Sequence, residues 1–456
     1  MKKSYIFFLL IIMLSFVSCD WGDKNSNNSI SEEANYTQKV VWTYEAKNVY
    51  ASNLCLQSGQ YYYIVEYSSE NGKDFIYSKI ELTNGQKVWE TEVFSLSPLY
   101  SPVKANVNGT DCLIILDSNE LFYFIDDNTG KLLTSLTFYE KLDEYGILNT
   151  EWDDFVMGNP KKFLFVNNSL YWANRFTDAK YDNPEKKFQG IVKLDLKELD
   201  FSKQNEPQYI KPELVWTNND TRQWIHMVPV EQDGVIYFLT YNQFQKDSYC
   251  ILGAFDTGSD TIVWLNKNNK LTGNGYKNMF IADNKLFVIE EGQGCYNLKN
   301  GEAIWEQYQT AEERDTQIDI CASFYSFGIS YDNDLLYYTN TMGQYASSLY
   351  GVEKETVKNI QCLDAKTGQF VWGDLPNNPG SLYTNPIVLN KQCFVVGWEN
   401  LRVYNSKTGE LIGVDNSVKS HGMEQTISYD DMFIYFNRSS PENGTSVLTA
   451  IKAYDL

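Results

Sequence analysis

The sequence predicts an all-β fold: an eight-bladed β-propeller of four-stranded antiparallel blades, closed by pairing the N-terminal strand with the C-terminal blade. Three observations carry this prediction. The chain holds 33 Tyr, 25 Phe and 11 Trp, residues that favour pleated, half-buried strands, and no segment sustains a 3.6-residue period. A unit of apolar strand, Gly-containing turn and short strand ending in Trp recurs along the whole chain. The last copy of that unit is split between the two ends.

The unit is clearest in Leu363-Asp364-Ala365-Lys366-Thr367-Gly368-Gln369-Phe370-Val371-Trp372, and recurs as Ile80 to Trp89 and Tyr296 to Trp305. In all three the Trp stands four residues after the Gly. Ile125 to Gly130 and Val403 to Gly409 are weaker copies, with Thr134 and Gly413 in the Trp position. Phe255 to Gly258 reaches Trp264 after two extra residues, and Val192 to Leu196 reaches Trp216 after a long insertion. These make seven units. The chain then ends on Ile451-Lys452-Ala453-Tyr454-Asp455-Leu456, which has the strand before the turn but lacks the turn and the Trp strand. The missing strand stands at the other end, as Val40-Val41-Trp42-Thr43-Tyr44. A ring accounts for the split, because first and last strands then share a sheet and no edge is left between the ends. Residues 39–456 divided among eight blades give about 52 each, slightly above the usual small-propeller repeat.

Trp42, Trp89, Trp216, Trp264, Trp305 and Trp372 are read as structural: an indole on an outer strand covers the gap to the next sheet and gives its N–H to a neighbouring carbonyl. The Gly residues take the positive-φ position in the turn between the last two strands.

Residues 1–18 read as an export signal, with Lys2 and Lys3, an apolar run from Tyr5 to Leu14 too short to span a membrane, and small Ser18 before Cys19. The segment resembles a bacterial lipoprotein signal, which implies lipidation at Cys19. Residues 19–38, rich in Asn, Ser, Asp and Glu, form a flexible tether. The expected address is the outer membrane, held by the lipid alone, on its periplasmic or its outer face. With 38 basic against 59 acidic residues and a formal charge of −21, the chain lacks the clustered positive charge that nucleic acid requires.

No catalytic set is visible. Cys55, Cys112, Cys250, Cys295, Cys321, Cys362 and Cys393 are odd in number, contain no CxxC spacing and mostly sit in apolar runs, as buried small hydrophobes do. His226 and His421 are too few for a His-rich metal site, though both stand at blade entries near the channel. The acidic stretches Asp126-Asp127-Asn128 and Asp332-Asn333-Asp334 lack calcium-loop spacing and read as turns; Asp153-Asp154 reads as a solvated loop pair. Neither a metal nor a cofactor is expected.

If the strands of each blade run A to D outward, the B–C and D–A loops share one face. Insertions at 67–74, 175–189, 242–247 and 341–358 (B–C) and at 139–161, 218–223 and 307–319 (D–A) all leave that face; the C–D insertion 197–213 leaves the other. The elaborated face carries Trp152, Tyr181 and Tyr345, together with four of the chain's five arginines: Arg175, Arg222, Arg314 and Arg438. Aromatic residues and Arg are the types enriched at binding hot spots, so this is the candidate partner-binding face.

The Leu-Asp-Ala-x-Thr-Gly-x-x-x-Trp unit resembles the repeat of the quinoprotein-like (PQQ-repeat) propellers over nearly the whole mature chain. A lipobox followed by eight blades is similar to the propeller lipoproteins of the outer-membrane barrel-assembly machine. That resemblance implies a non-catalytic, envelope-located scaffold for protein partners. A glycan- or small-ligand-binding propeller is the alternative. A quinone-dependent dehydrogenase is the third reading; the alcohol dehydrogenase branch stacks its quinone on adjacent cysteines, and no such pair occurs here.

Overall fold

The structure, a computed structural model, describes residues 39–47, 55–67, 75–91, 101–117, 121–138, 163–176, 188–204, 206–218, 224–241, 251–268, 271, 278–289, 293–307, 329–339, 360–374, 384–397, 400–418, 426–438 and 445–453. They form eight antiparallel blades, seven with strands A to D in sequence order and the eighth with its D strand taken from the N-terminal end. Blade 1 shows the pattern, with strand A at Leu56–Ser58, B at Tyr61–Tyr67, C at Phe75–Glu81 and D at Lys87–Glu90. Blades 2 to 7 span 103–137, 164–218, 224–266, 278–307, 329–374 and 387–415. Blade 8 takes Ile427–Tyr429, Met432–Arg438 and Thr445–Lys452 from the C-terminus, and its D strand is Val40–Lys47.

The closing ladder runs from Val40 opposite Ile451, through Trp42 opposite Ala450, to Lys47 opposite Thr445. The predicted closure is therefore present, with the partner strand lying mainly before Ile451 rather than after it. A C strand must begin on the face opposite the C–D turns, and that requires the eight residues from Thr445.

The core is not one cluster but eight, each shared by two neighbouring blades. Tyr62, Ile64, Ile80 and Leu82 of blade 1 pack with Trp42, Ile434, Phe436 and Leu448 of blade 8. Tyr63, Val65 and Tyr77, on the other face of the same sheet, pack with Leu113, Ile115 and Ile125 of blade 2. Sheets buried on both faces explain why the B strands read as unbroken apolar runs instead of alternating ones; Tyr62 to Val65 are all fully buried. Clusters at the blade 7–8 and blade 8–1 seams complete the ring.

The two faces of the ring are built differently. The A–B connections are two-residue turns with left-handed residues: Asn108-Gly109, Asn167-Asn168, Asp233-Gly234, Asp283-Asn284, Asn333-Asp334 and Asn390-Lys391. Such turns match the twist of their flanking strands and tolerate Asn, Asp and Gly at positive φ. The C–D turns lie on this same face. Every B–C and D–A connection leaves the opposite face.

Candidate functional site

Six of the eight D strands carry the repeat Trp, and in four of them it stands at one register position beside a bulge in the C–D ladder. Trp89 stands opposite Lys79, Trp264 opposite Ala254, Trp305 opposite Cys295 and Trp372 opposite Cys362. The bulge turns the indole across the seam onto the C–D turn of the following blade. Trp42 donates its Nε1–H to Leu82 O at 2.9 Å, Trp89 to Asp127 O at 2.8 Å, Trp264 to Leu298 O at 2.9 Å, Trp305 to Ala365 O at 2.8 Å and Trp372 to Ser406 O at 2.8 Å. In every case the accepting carbonyl lies three residues before the turn Gly. The indole ring covers that Gly, so that a Cβ on Gly85, Gly130, Gly301, Gly368 or Gly409 would meet the ring at 2.4–2.8 Å.

These turns are longer than a two-residue hairpin. In the Asp364 turn, Gly368 N–H reaches back to Asp364 O at 2.7 Å and Asp364 N–H to Gln369 O at 2.8 Å. The Asp364 carboxylate accepts from the N–H groups of Lys366 and Thr367. Asp126 does the same for Asn128 and Thr129, which is turn chemistry.

Three seams depart from the clasp. Trp216 packs against Phe238 of blade 4, ring centroids 5.0 Å apart, and the turn there reaches positive φ at Asp260 and not at Gly258. At blade 7 the position holds Gly413, opposite Val403; it faces blade 8, whose C and D strands come from opposite ends of the described chain, and no C–D turn joins them among the described residues. At blade 2 the position is Thr134, and the insertion 197–213 takes the place of the indole. After a short 3-10 turn at Leu196–Glu198, Gln208–Tyr209 runs parallel to the D strand of blade 2, Leu132–Thr137, as a fifth strand. Thr134 Oγ1 donates to Lys203 O at 2.6 Å, and Gln208 Nε2 donates to Thr134 Oγ1 at 2.7 Å. The insertion is thus a strap across the seam between blades 2 and 3.

A buried charge cluster at the blade 1–2 seam draws its acid, Asp127, from the stretch Asp126-Asp127-Asn128 that reads in the sequence only as a turn. Lys79 donates to Asp127 Oδ1 at 2.9 Å and to Asp127 O at 2.8 Å, Lys104 lies 2.9 Å from Oδ2, and Tyr63 OH donates to Oδ1 at 2.5 Å. Lys79 Nζ also sits 4.1 Å from the Tyr61 ring centroid. Burial alone would raise the Asp127 carboxyl, but the hydrogen bonds from Tyr63, Lys104 and Lys79 outweigh it and hold the group below the usual carboxylate value. The signal in the sequence is a lysine inside the strand Phe75–Glu81, where a fully buried cation demands a partner.

The strands that bracket 139–162, 177–187, 242–250, 308–328 and 340–359 all end on the face opposite the turns. Trp152, Tyr181, Tyr345, Arg222 and Arg314 lie outside the described residues. So do Cys19, His421, Asp153-Asp154, Cys250, Cys321 and the side chains of Arg175, Arg438 and His226. The backbones of Arg175 and Arg438 lie at the ends of the B strands Ser169–Phe176 and Met432–Arg438, on the inserted face. His226 is on the inner strand Trp224–Gln232. Cys55, Cys112, Cys295, Cys362 and Cys393 are buried. Among the described residues no three His, Cys, Asp or Glu side chains converge as a metal site, and no helix is long and apolar enough to cross a membrane.

Comparison with solved structures follows this geometry. BamB from Moraxella catarrhalis superposes with a TM-score of 0.54 at 11% identity, covering 92% of this chain and 99% of its own. The likeness is one of fold, a β-propeller that this chain shares with BamB. Quinohemoprotein alcohol dehydrogenase from Comamonas testosteroni gives a TM-score of 0.50 at 11% identity, over 91% of this chain and 77% of its own. The computationally designed Ika8 protein gives 0.51 at 10% identity, over 91% and 100%. BamB, an alcohol dehydrogenase and a designed protein thus share the fold, which marks it as a scaffold onto which function is grafted. No protein-family model and no curated protein sequence matches the chain.

Proposed function

We propose that this chain is a non-catalytic propeller, anchored through a lipid on Cys19, that serves as a protein-binding scaffold in the cell envelope, comparable to BamB in outer-membrane protein assembly. The observation that supports this reading is the asymmetry of the ring. One face is trimmed to turns whose Asn, Asp and Gly residues satisfy only the fold, whereas the other receives every long connection but the strap. Rigid blades holding elaborated loops are the usual construction of a recognition surface. Polar groups of the trimmed face are engaged in turns and seams at the Asp364 turn and the Asp127 cluster.

The test is recovery of partners by the mature protein in mild detergent, beside a variant with Arg175, Arg222, Arg314 and Arg438 all changed to Ala. Stoichiometric co-purification of barrel-assembly components, lost in the variant, supports the scaffold. Recovery of no protein, together with saturable glycan binding, rejects it in favour of the ligand-binding propeller. Dye-linked oxidation of an alcohol or sugar after quinone reconstitution rejects both.

A further inference from the structure

The two ends of the described chain meet at one corner of blade 8. Lys39 O accepts from Lys452 N–H at 3.0 Å, Val40 stands opposite Ile451, and Ala453 N–H donates to Asp431 O at 3.0 Å. Asp431 lies in the A–B turn between Ile427–Tyr429 and Met432–Arg438. The A–B turns belong to the trimmed face, so the chain enters the ring on that face. Strand Val40–Lys47 then climbs the outer edge of blade 8 to the inserted face, a height of about 23 Å at the usual strand rise.

On the reading above, a lipid on Cys19 anchors the protein, and only residues 19–38 separate that lipid from Lys39. A coil of this length has a root-mean-square reach of about 25 Å. With the trimmed corner of blade 8 turned to the lipid, the connection spans almost nothing. To bring the inserted face down instead, it would have to run the height of the blade, using nearly all of its reach before the loops of that face are counted. The trimmed face also has the chemistry of a surface that rests on head groups without entering the bilayer. Among the described residues, the large apolar side chains that are exposed lie on D strands and at Tyr209 of the strap, and none lies in an A–B or C–D turn.

We propose that the ring sits against a lipid head-group surface by the trimmed corner of blade 8, which holds the inserted face away from the lipid and open to partners in the aqueous phase. The inference rests on the anchored reading above and adds its direction.

The test is energy transfer from a fluorescent residue, placed at one position per variant, to an acceptor on the head groups of phosphatidylcholine vesicles. Thr83 and Lys407 report from the C–D turns of blades 1 and 7 on the trimmed face. Lys47 and Asn416 report from the inserted ends of the D strands of blades 8 and 7. The full-length protein is held either by its acyl chain or, with Cys19 replaced by a hexahistidine segment, by a nickel-chelating lipid. Transfer from Thr83 and Lys407 is expected to exceed that from Lys47 and Asn416 on the order of three-fold, and inserting about forty Gly and Ser residues after Gln38, which lengthens the reach to about 40 Å, is expected to bring the four signals together. Equal transfer from both faces, stronger transfer from Lys47 and Asn416, or a ranking that survives the insertion overturns the proposal. The chelated form separates the two readings: a chain that takes no acyl label but keeps the ranking on nickel lipid refutes the lipid on Cys19 and supports the direction set by the chain entry.

Discussion

Trp305 of blade 5 and Gly368 of blade 6 form one clasp: the indole donates to Ala365 O at 2.8 Å while its ring covers Gly368, whose φ is +73°. Two requirements meet at that glycine, a left-handed backbone and space for the ring. Gly368→Ala should therefore cost about 2–4 kcal/mol, from backbone strain plus displacement of the indole. Gly109, at φ +85° with open space for 4 Å around the place a Cβ would take, meets only the first, and Gly109→Ala should cost about 1 kcal/mol. Urea denaturation of the two variants compares them, and equal losses would contradict the clasp.

The Asp127 cluster should make stability pH-dependent in a defined direction. Because the folded carboxyl lies below its ordinary value, its contribution is fully present above about pH 4 and is lost as pH falls through the lowered folded value. Asp127→Asn should flatten that part of the acid-unfolding curve, read by near-ultraviolet circular dichroism.

Asp127→Ala leaves Lys79 buried without its carboxylate and should cost about 3–5 kcal/mol. Adding Lys79→Met should recover most of the loss, because an apolar side chain suits the site better than an unpaired cation. A double variant no more stable than Asp127→Ala would show that the loss comes from elsewhere.

Burial pushes the thiols of Cys112, Cys295 and Cys362 up to about 12 and that of Cys393 higher still. All four should resist iodoacetamide in the native protein near pH 8 and react fully in guanidinium, since the thiolate is the nucleophile. Mass spectrometry counts the adducts; rapid native labelling at Cys362 would mean that the blade 6–7 seam opens.

The ring was legible because its determinants are local. Asp364, Gly368 and Trp372 lie within nine residues and recur, and the split repeat at the ends announces the closure. The positions of Thr134 and Gly413 were also readable as gaps in the pattern, but not their cause. Thr134 depends on Gln208, which reaches it through a two-residue parallel pairing with no periodic signature. Gly413 depends on blade 8 drawing its C and D strands from opposite ends of the described chain. Lys79 and Asp127 are distant in sequence, and Asp127 looks like any other turn residue until the seam brings them together. The inserted face was inferred from strand order, and the strand ends agree, whereas the roles of Arg175, Trp152, Tyr181 and Tyr345 depend on loop conformations that no local pattern dictates.

Photo-crosslinking from the two faces of the ring is the most direct test of the scaffold reading. A photoreactive residue is placed in cells at Arg175, at the end of a B strand on the inserted face, or at Tyr345, and at Asn300 or Lys407 in the C–D turns. Discrete protein adducts are expected from Arg175 and Tyr345 and none from Asn300 or Lys407. Adducts from the turn positions alone, or from neither face, would contradict the scaffold.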